Sequence, residues 1–400
     1  MKNKPRFSRR IRWELDENDL SRELAKRRKV GTPVWDLTSS NPTAAGIAYP
    51  NREILGAIQS EEALRYEPDP RGSLAAREAV SRYYLERGAR VPPEDLFLSA
   101  STSEAYGFLY KLLCDPGDEI LVPRPSYPLF DFLGALDAVK PVTYPLRFDG
   151  SWRIDFSALT AAISDRSRLV VAVHPNNPTG SYVSDEDRAR LLHLTESRGL
   201  ALVVDEVFLD FPLSETSKPR SFAGDGNGLV IVLSGLSKLA GLPQMKLGWI
   251  AMAGGADVRS EASLRLEHIA DSYLSVGAPV QSAARTLLEL APRTRRLISE
   301  RTERNLDSLK EQAEGAQSVT LWVPEGGWCA TLRLPAVLRG EEWALALLQE
   351  ESVYVHPGSF FGFETEAVLV LSLLTPEDTF DEGVRRVLRI VANRLDSLNA

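Results

Sequence analysis

Residues 200–206 read Leu-Ala-Leu-Val-Val-Asp-Glu, and residues 229–238 read Leu-Val-Ile-Val-Leu-Ser-Gly-Leu-Ser-Lys. Each opens with an apolar run about a quarter of the roughly 20 residues a membrane helix needs, a length that suits a strand buried on both faces. Runs of the same kind occur at Asp95–Ser99, Glu119–Pro123, Arg168–Val173 and Leu247–Met252. Amphipathic stretches between them predict helices over Ser73–Arg87, Ser103–Leu113, Asp185–Arg198 and Glu261–Tyr273. This alternation predicts an α/β fold with a large, doubly wound, mostly parallel sheet domain.

The texture changes near residue 290. A charged helix predicted over Thr294–Ala313 precedes a strand-like Gly326–Pro335, a helix from Glu341 and strand-like runs near Val353 and Val368. These predict a second, smaller α+β domain. The boundary is expected near Ala291-Pro292, with the first 45 residues returning to the second body. The expected domains are therefore 46–290 and 1–45 plus 291–400.

Composition narrows the function. With 44% apolar residues in 400, the chain can bury sizeable cores, which excludes disorder. Its 47 basic against 55 acidic residues, net charge −8, argue against a surface built to hold nucleic acid or anionic lipid. Cys114 and Cys329 stand far apart in apolar sequence, which fits reduced thiols and a cytoplasmic protein. The basic N-terminal segment lacks the apolar core of a secretory signal. No phosphate-loop or Gly-x-Gly-x-x-Gly motif is present, and Ser237 lacks the glycine of an esterase elbow. His174, His193, His268 and His356 lack metal-ligand spacing, so no metal is expected.

In open parallel sheets ligands bind at the carboxyl ends of strands, so the polar residues after each run are the candidates. Ser99-Ala-Ser-Thr-Ser-Glu104 opens a helix, offering hydroxyls and backbone N–H groups that suit a phosphate. His174-Pro-Asn-Asn-Pro-Thr-Gly180 is a fixed loop carrying amide side chains. Asp205 ends a central buried strand, where a carboxylate can hold a cationic ring nitrogen. Lys238 follows a glycine-hydroxyl loop at the same sheet edge, where desolvation makes a lysine a Schiff-base nucleophile. Each feature alone is also an ordinary cap, turn or ion pair. Together they describe a site for an aldehyde cofactor with a phosphate and a protonatable ring, pyridoxal 5′-phosphate.

Over nearly its whole length the chain resembles the fold-type I, class I/II aminotransferases of the aspartate aminotransferase superfamily. The matching marks are Tyr66-Glu-Pro-Asp-Pro-Arg-Gly72, Asp115–Pro123 followed by Pro125-Ser-Tyr-Pro128, Asn176-Asn-Pro-Thr-Gly180, Asp205-Glu-Val-Phe208, Gly235-Leu-Ser-Lys238 and His356-Pro-Gly-Ser-Phe-Phe-Gly362. The resemblance implies that Lys238 forms the internal aldimine and then acts as general base, and that Asp205 keeps the ring nitrogen protonated. It implies Asn177 on the ring oxygen, Tyr127 stacked on the ring, and Ser101, Thr102, Ser103, Ser237 and Lys246 around the phosphate. Tyr66 resembles the tyrosine supplied by a neighbouring subunit, which implies a homodimer with shared sites. The implied activity moves an amino group from an amino acid donor to a 2-oxo acid acceptor. A lyase, decarboxylase or racemase on the same scaffold, or a non-catalytic ligand sensor, are the competing readings.

Three departures stand out. Lys246 occupies the place of a phosphate-binding arginine, Phe208 that of a tyrosine, and Val370, in Val368-Leu-Val-Leu-Ser372, that of the arginine that grips a substrate carboxylate. A substitute cation is expected, with Arg333, Arg9 and Arg10 as candidates.

Overall fold

A computed structural model describes residues 7–10, 17–214, 219–316, 318–363 and 367–399. An eight-stranded sheet forms the larger layer. Its strands, in spatial order, are Leu96–Ser99, Gly248–Gly254, Leu229–Gly235, Ala201–Asp205, Ser167–Val173, Glu119–Arg124, Lys140–Phe148 and Trp152–Ile154. The five from Leu229–Gly235 to Lys140–Phe148 are parallel. Gly248–Gly254 runs antiparallel to both neighbours, and Trp152–Ile154 pairs antiparallel at the far edge. The central strands are apolar on both sides because helices cover both faces, burying one core around Val80, Tyr84, Leu202 and Trp249 and another around Phe97, Leu109, Val203 and Ile250.

Register fixes the upper edge of this sheet. Asp205 pairs with Leu233 on one side and Val173 on the other, and Gly248 sits between Ser99 and Gly235. A one-residue slip would exchange the two buried faces, each matched to a different helix layer.

Helix starts follow local chemistry. Ser101 Oγ accepts the Glu104 N–H to begin Thr102–Leu113, and Ser184 does the same for Asp185–Arg198, which stops at Gly199 in a left-handed conformation. The helix expected from Glu261 starts earlier, at Ala256. The one expected at Thr294 is the second half of a continuous helix, Ala278–Glu314, with Pro292 inside it. A mid-helix proline costs about 3 kcal/mol in isolation. Here Pro292 is exposed while Ala283, Leu287, Ala291, Ile298 and Leu306 line a buried stripe that holds the helix through the defect.

Beyond that helix, Thr320–Trp322, Cys329–Arg333, Val368–Ser372 and His356–Pro357 form a four-stranded antiparallel sheet in that order. Leu20, Leu24 and Leu37 share a core with Leu332, Trp343, Leu369 and Phe380, and Trp35–Asp36 pairs with Val353–Tyr354. Among the described residues no helix is long and apolar enough to cross a membrane.

Gly254 has φ +97°, and a Cβ there would lie 1.7 Å from the Gly228 carbonyl oxygen. Gly254→Ala should therefore cost about 3 kcal/mol or more, since neither backbone can give way. A lowered urea midpoint with unchanged slope is the expected readout.

Candidate active site

The site grows from the ends of the two central strands. Ala201–Asp205 delivers the Asp205 carboxylate, whose Oδ1 accepts the Val207 N–H at 3.1 Å and whose Oδ2 accepts the Tyr106 hydroxyl at 3.2 Å. Burial raises its pKa from 3.8 to about 6, opposed by those two bonds and by Lys238. Lys238 lies on a single turn, Leu236–Leu239, immediately after the neighbouring strand. Burial lowers its pKa, and the nearby Cys329 and Asp205 only partly restore it. Its Nζ sits 5.2 Å from the centre of the Trp328 ring and 5.5 Å from that of Phe208. The lysine is thus an amine held in a dry, aromatic setting beside a carboxylate.

Gly235 and Gly248 permit the close approach on which this edge depends. A Cβ on Gly235 would meet Gly248 Cα and the Leu247 carbonyl oxygen at 2.8 Å. One on Gly248 would meet the Ser101 backbone and Ser99 Oγ at 3.2 Å. The Ser237 turn, the segment ending at Lys246 and the start of the Thr102 helix therefore converge, with Leu236 N–H bonded to the Leu247 carbonyl at 2.9 Å. First-turn N–H groups at Thr102 and Ser103 have no partner within the helix and carry its positive end. Ser101 itself caps the helix, and Glu104 accepts from the Ala100 N–H and the Ser275 hydroxyl. Lys246 is exposed and left-handed, φ +52°.

The loop after Ser167–Val173 separates its two amides. Asn176 is consumed by structure: its Nδ2 donates to the Pro125 carbonyl and to Thr179 Oγ1, and its Oδ1 accepts from the Ser126 hydroxyl at 2.9 Å. Among the described residues Asn177 is left free, its Oδ1 buried without a partner. Tyr127, 47% exposed, lies within the field of Asp205, which together with burial raises its pKa. Tyr66 is on the surface, 80% exposed, and lines a cavity of about 310 Å³ with Pro68, Gly72, Ser73 and Leu274.

The three expected substitute cations do not gather here. Arg333 is exposed at the outer end of its strand, and Arg9 and Arg10 are exposed, with Arg10 bonded to the Leu136 carbonyl at 3.2 Å. Tyr106 and Cys329 also stand at the site, where neither was expected. Tyr106 stands inside a helix with no end signal, whereas Gly326-Gly327 before Trp328-Cys329 was a usable cue. Cys329 carries a thiol that burial pushes up to about 12.

The sequence and the fold both have relatives. A family model described as aminotransferase class I and II matches residues 33–387. The chain is 29% identical over 269 residues to the glutamate-pyruvate aminotransferase AlaA of Escherichia coli (strain K12), covering 67% of this chain and 66% of that one. It is 30% identical over 267 residues to an alanine aminotransferase of Mycobacterium tuberculosis, covering 66% of this chain and 62% of that one. The matched stretch thus spans a little under two thirds of these relatives. Its fold is similar to that of an alanine aminotransferase from Pyrococcus furiosus, with TM-score 0.87 at 23% identity, covering 97% of this chain and all of the other.

Because folding raises the Asp205 pKa, ionising it costs stability. The penalty appears as pH climbs from 3.8 to about 6 and persists above. Over that window cofactor-free wild type should lose stability relative to Asp205→Asn, and the variant should melt higher at pH 7. Parallel melting curves across pH read the difference.

Proposed function

Because this chain belongs to the aminotransferase class I and II family, we propose that it binds pyridoxal 5′-phosphate and moves an amino group between an amino donor and a carbonyl acceptor. The observation that carries this reading is the Lys238 amine, set near Asp205 and against the touching rings of Phe208 and Trp328. The residues fit the cofactor. A side-chain amide on Asn177 that bonds to no other described residue, a glycine-narrowed helix end at Ser101–Ser103 and a dry carboxylate form one edge.

When bound, the cofactor supplies an aldehyde carbon and a protonatable ring that draws electrons from the bond to be broken. In this reading Asp205 holds a proton on the ring nitrogen. The cation restores the charge that burial resists, and Tyr106 and the Val207 N–H keep the carboxylate aimed. Lys238 holds the aldehyde carbon and, once released, takes the donor's α-proton. Burial lowers its pKa and so favours the neutral amine, the form a base must take. Asn177 Nδ2 donates to the ring oxygen, and Tyr127 covers one ring face. Ser101, Thr102, Ser103, Ser237 and Lys246 hold the phosphate, Lys246 through charge without the two-pronged geometry of an arginine.

Several finer readings go with it. The division into 46–290 and 1–45 plus 291–400 is supported by separate cores, although one helix, Ala278–Glu314, runs through the boundary. The homodimer is supported by Tyr66, exposed on a cavity where a second copy would seat it. Cytoplasmic placement is supported by two free thiols, Cys114 and Cys329.

Amino transfer is tested by incubating the cofactor-loaded protein with a panel of amine and 2-oxo acid pairs and assaying both products. Lys238→Ala should lower turnover by about 10⁴-fold or more while still binding the cofactor, since it removes both holder and base. Near-wild-type turnover in that variant would refute the reading. A phenylalanine at 208 donates nothing to the ring oxygen. The visible absorbance of the loaded enzyme should therefore titrate at lower pH in Phe208→Tyr than in wild type, as the new hydroxyl stabilises the oxyanion.

A further inference from the structure

The wall facing Lys238 from the smaller sheet carries the inference. Trp322, Thr331, Val370 and His356 pair directly across its four strands, so their side chains share one face. Two observations turn that face toward the lysine. Cys329, two residues before Thr331 and so on the same side, has a thiol within the electrostatic field of Lys238. Phe361, packed in the Val370 cluster, accepts the Ser126 N–H beside Tyr127 through its carbonyl at 2.9 Å. The wall therefore lies between Cys329 and Tyr127.

It is aromatic and uncharged. Val370 is buried with Trp322, Phe361 and Phe363, and Trp152 packs edge-on to Trp322 with ring centres 5.1 Å apart. Trp322 and Phe363 stack at 5.9 Å. The polar atoms here without a partner are neutral, the Thr331 hydroxyl and the Trp152 indole nitrogen. His356 is packed against Tyr354, Phe360 and Phe361, and burial lowers its pKa, so it supplies no charge at neutral pH. Arg124, whose side chain lies against Gly362, is already paired with Asp131 at 2.5 Å. Arg333 shares the face of Cys329 and Thr331 but lies at its exposed end, opposite Val368 rather than Val370. Directly across the sheet Val370 faces Thr331 and His356, neither of them a cation at neutral pH. A carboxylate placed there would lose its water for neutral neighbours, whereas an aromatic group would replace water with matching rings.

Resting on the amino-transfer reading above, we propose that this wall seats the apolar, arene-sized group of a primary amine that carries no carboxylate on its nitrogen-bearing carbon. In the donor half-reaction R–CH₂–NH₂ and the cofactor aldehyde give R–CHO and the aminomethyl cofactor. A C–N bond would form on the cofactor carbon as its aldehyde oxygen leaves as water, and the donor's C–N bond would break as a water supplies the oxygen of R–CHO. The donor carbon is oxidised by two electrons and the cofactor carbon is reduced by two, and the proton taken by Lys238 from the donor is delivered to the cofactor carbon.

The test compares phenethylamine with L-phenylalanine in single-turnover absorbance on the loaded enzyme. In parallel, calorimetry compares the binding of 3-phenylpropan-1-ol with that of 3-phenylpropanoate, neither of which can react. Wild type should convert the amine at least tenfold faster than the amino acid and bind the alcohol at least tenfold more tightly than the acid. Val370→Arg should reverse both orders. The wild-type comparison stands whether or not that variant folds. Faster reaction of phenylalanine together with tighter binding of the acid overturns the proposal, and loss of that preference in Arg124→Ala would then assign the carboxylate to Arg124. If neither donor reacts while the alcohol still binds more tightly than the acid, the amino-transfer reading fails and the assignment of the wall stands.

Discussion

The site depends on desolvating an amine and a carboxylate at the ends of adjacent parallel strands. Burial disfavours charge on both groups, raising the Asp205 pKa and lowering that of Lys238. That shared penalty is what makes the pair reactive. A lysine in water is protonated and inert, whereas one packed against Phe208 and Trp328 near a carboxylate can act as nucleophile and base. The sheet enforces the arrangement through its register. Asp205 is fixed opposite Leu233, and Gly235 and Gly248 bring the lysine turn against the Ser101 helix end.

The smaller body determines what reaches that pair. Cys329–Arg333 presents Cys329 and Thr331 toward the cleft while Ala330 and Leu332 enter its own core, the ordinary alternation of a strand covered on one face. The same alternation places Val370 in the cleft wall. Continuity of Ala278–Glu314 through Pro292 ties this wall to the large sheet, since the helix packs on the Leu74–Leu85 helix near one end and the Glu377–Asn399 helix near the other.

The central strands were legible because five-residue apolar runs leave few alternatives. Lys140–Phe148 and Trp152–Ile154 escaped notice because Lys140, Pro141, Pro145, Arg147 and Arg153 interrupt the pattern, which the half-exposed edge of a sheet tolerates. Pro292 hid the length of its helix, since local propensity argues for a break and only tertiary packing overrides it. Asp205 and Lys238 were readable because each ends a run. Which of Asn176 and Asn177 remains available depends on contacts with Ser126 and Pro125, some fifty residues away, and no local pattern encodes that. The aromatic wall was equally hidden. Trp152, Trp322 and Phe363 come from three separate segments, and the missing arginine at Val370 signalled an absence without showing what fills it.

The central claim is that Lys238 is the amine that holds the cofactor. Borohydride reduction of the loaded protein, followed by proteolysis and mass mapping, reads it directly. The account predicts one stable adduct, carried by the peptide containing Lys238. An adduct on Lys246 or another lysine, with the Lys238 peptide unmodified, would contradict it.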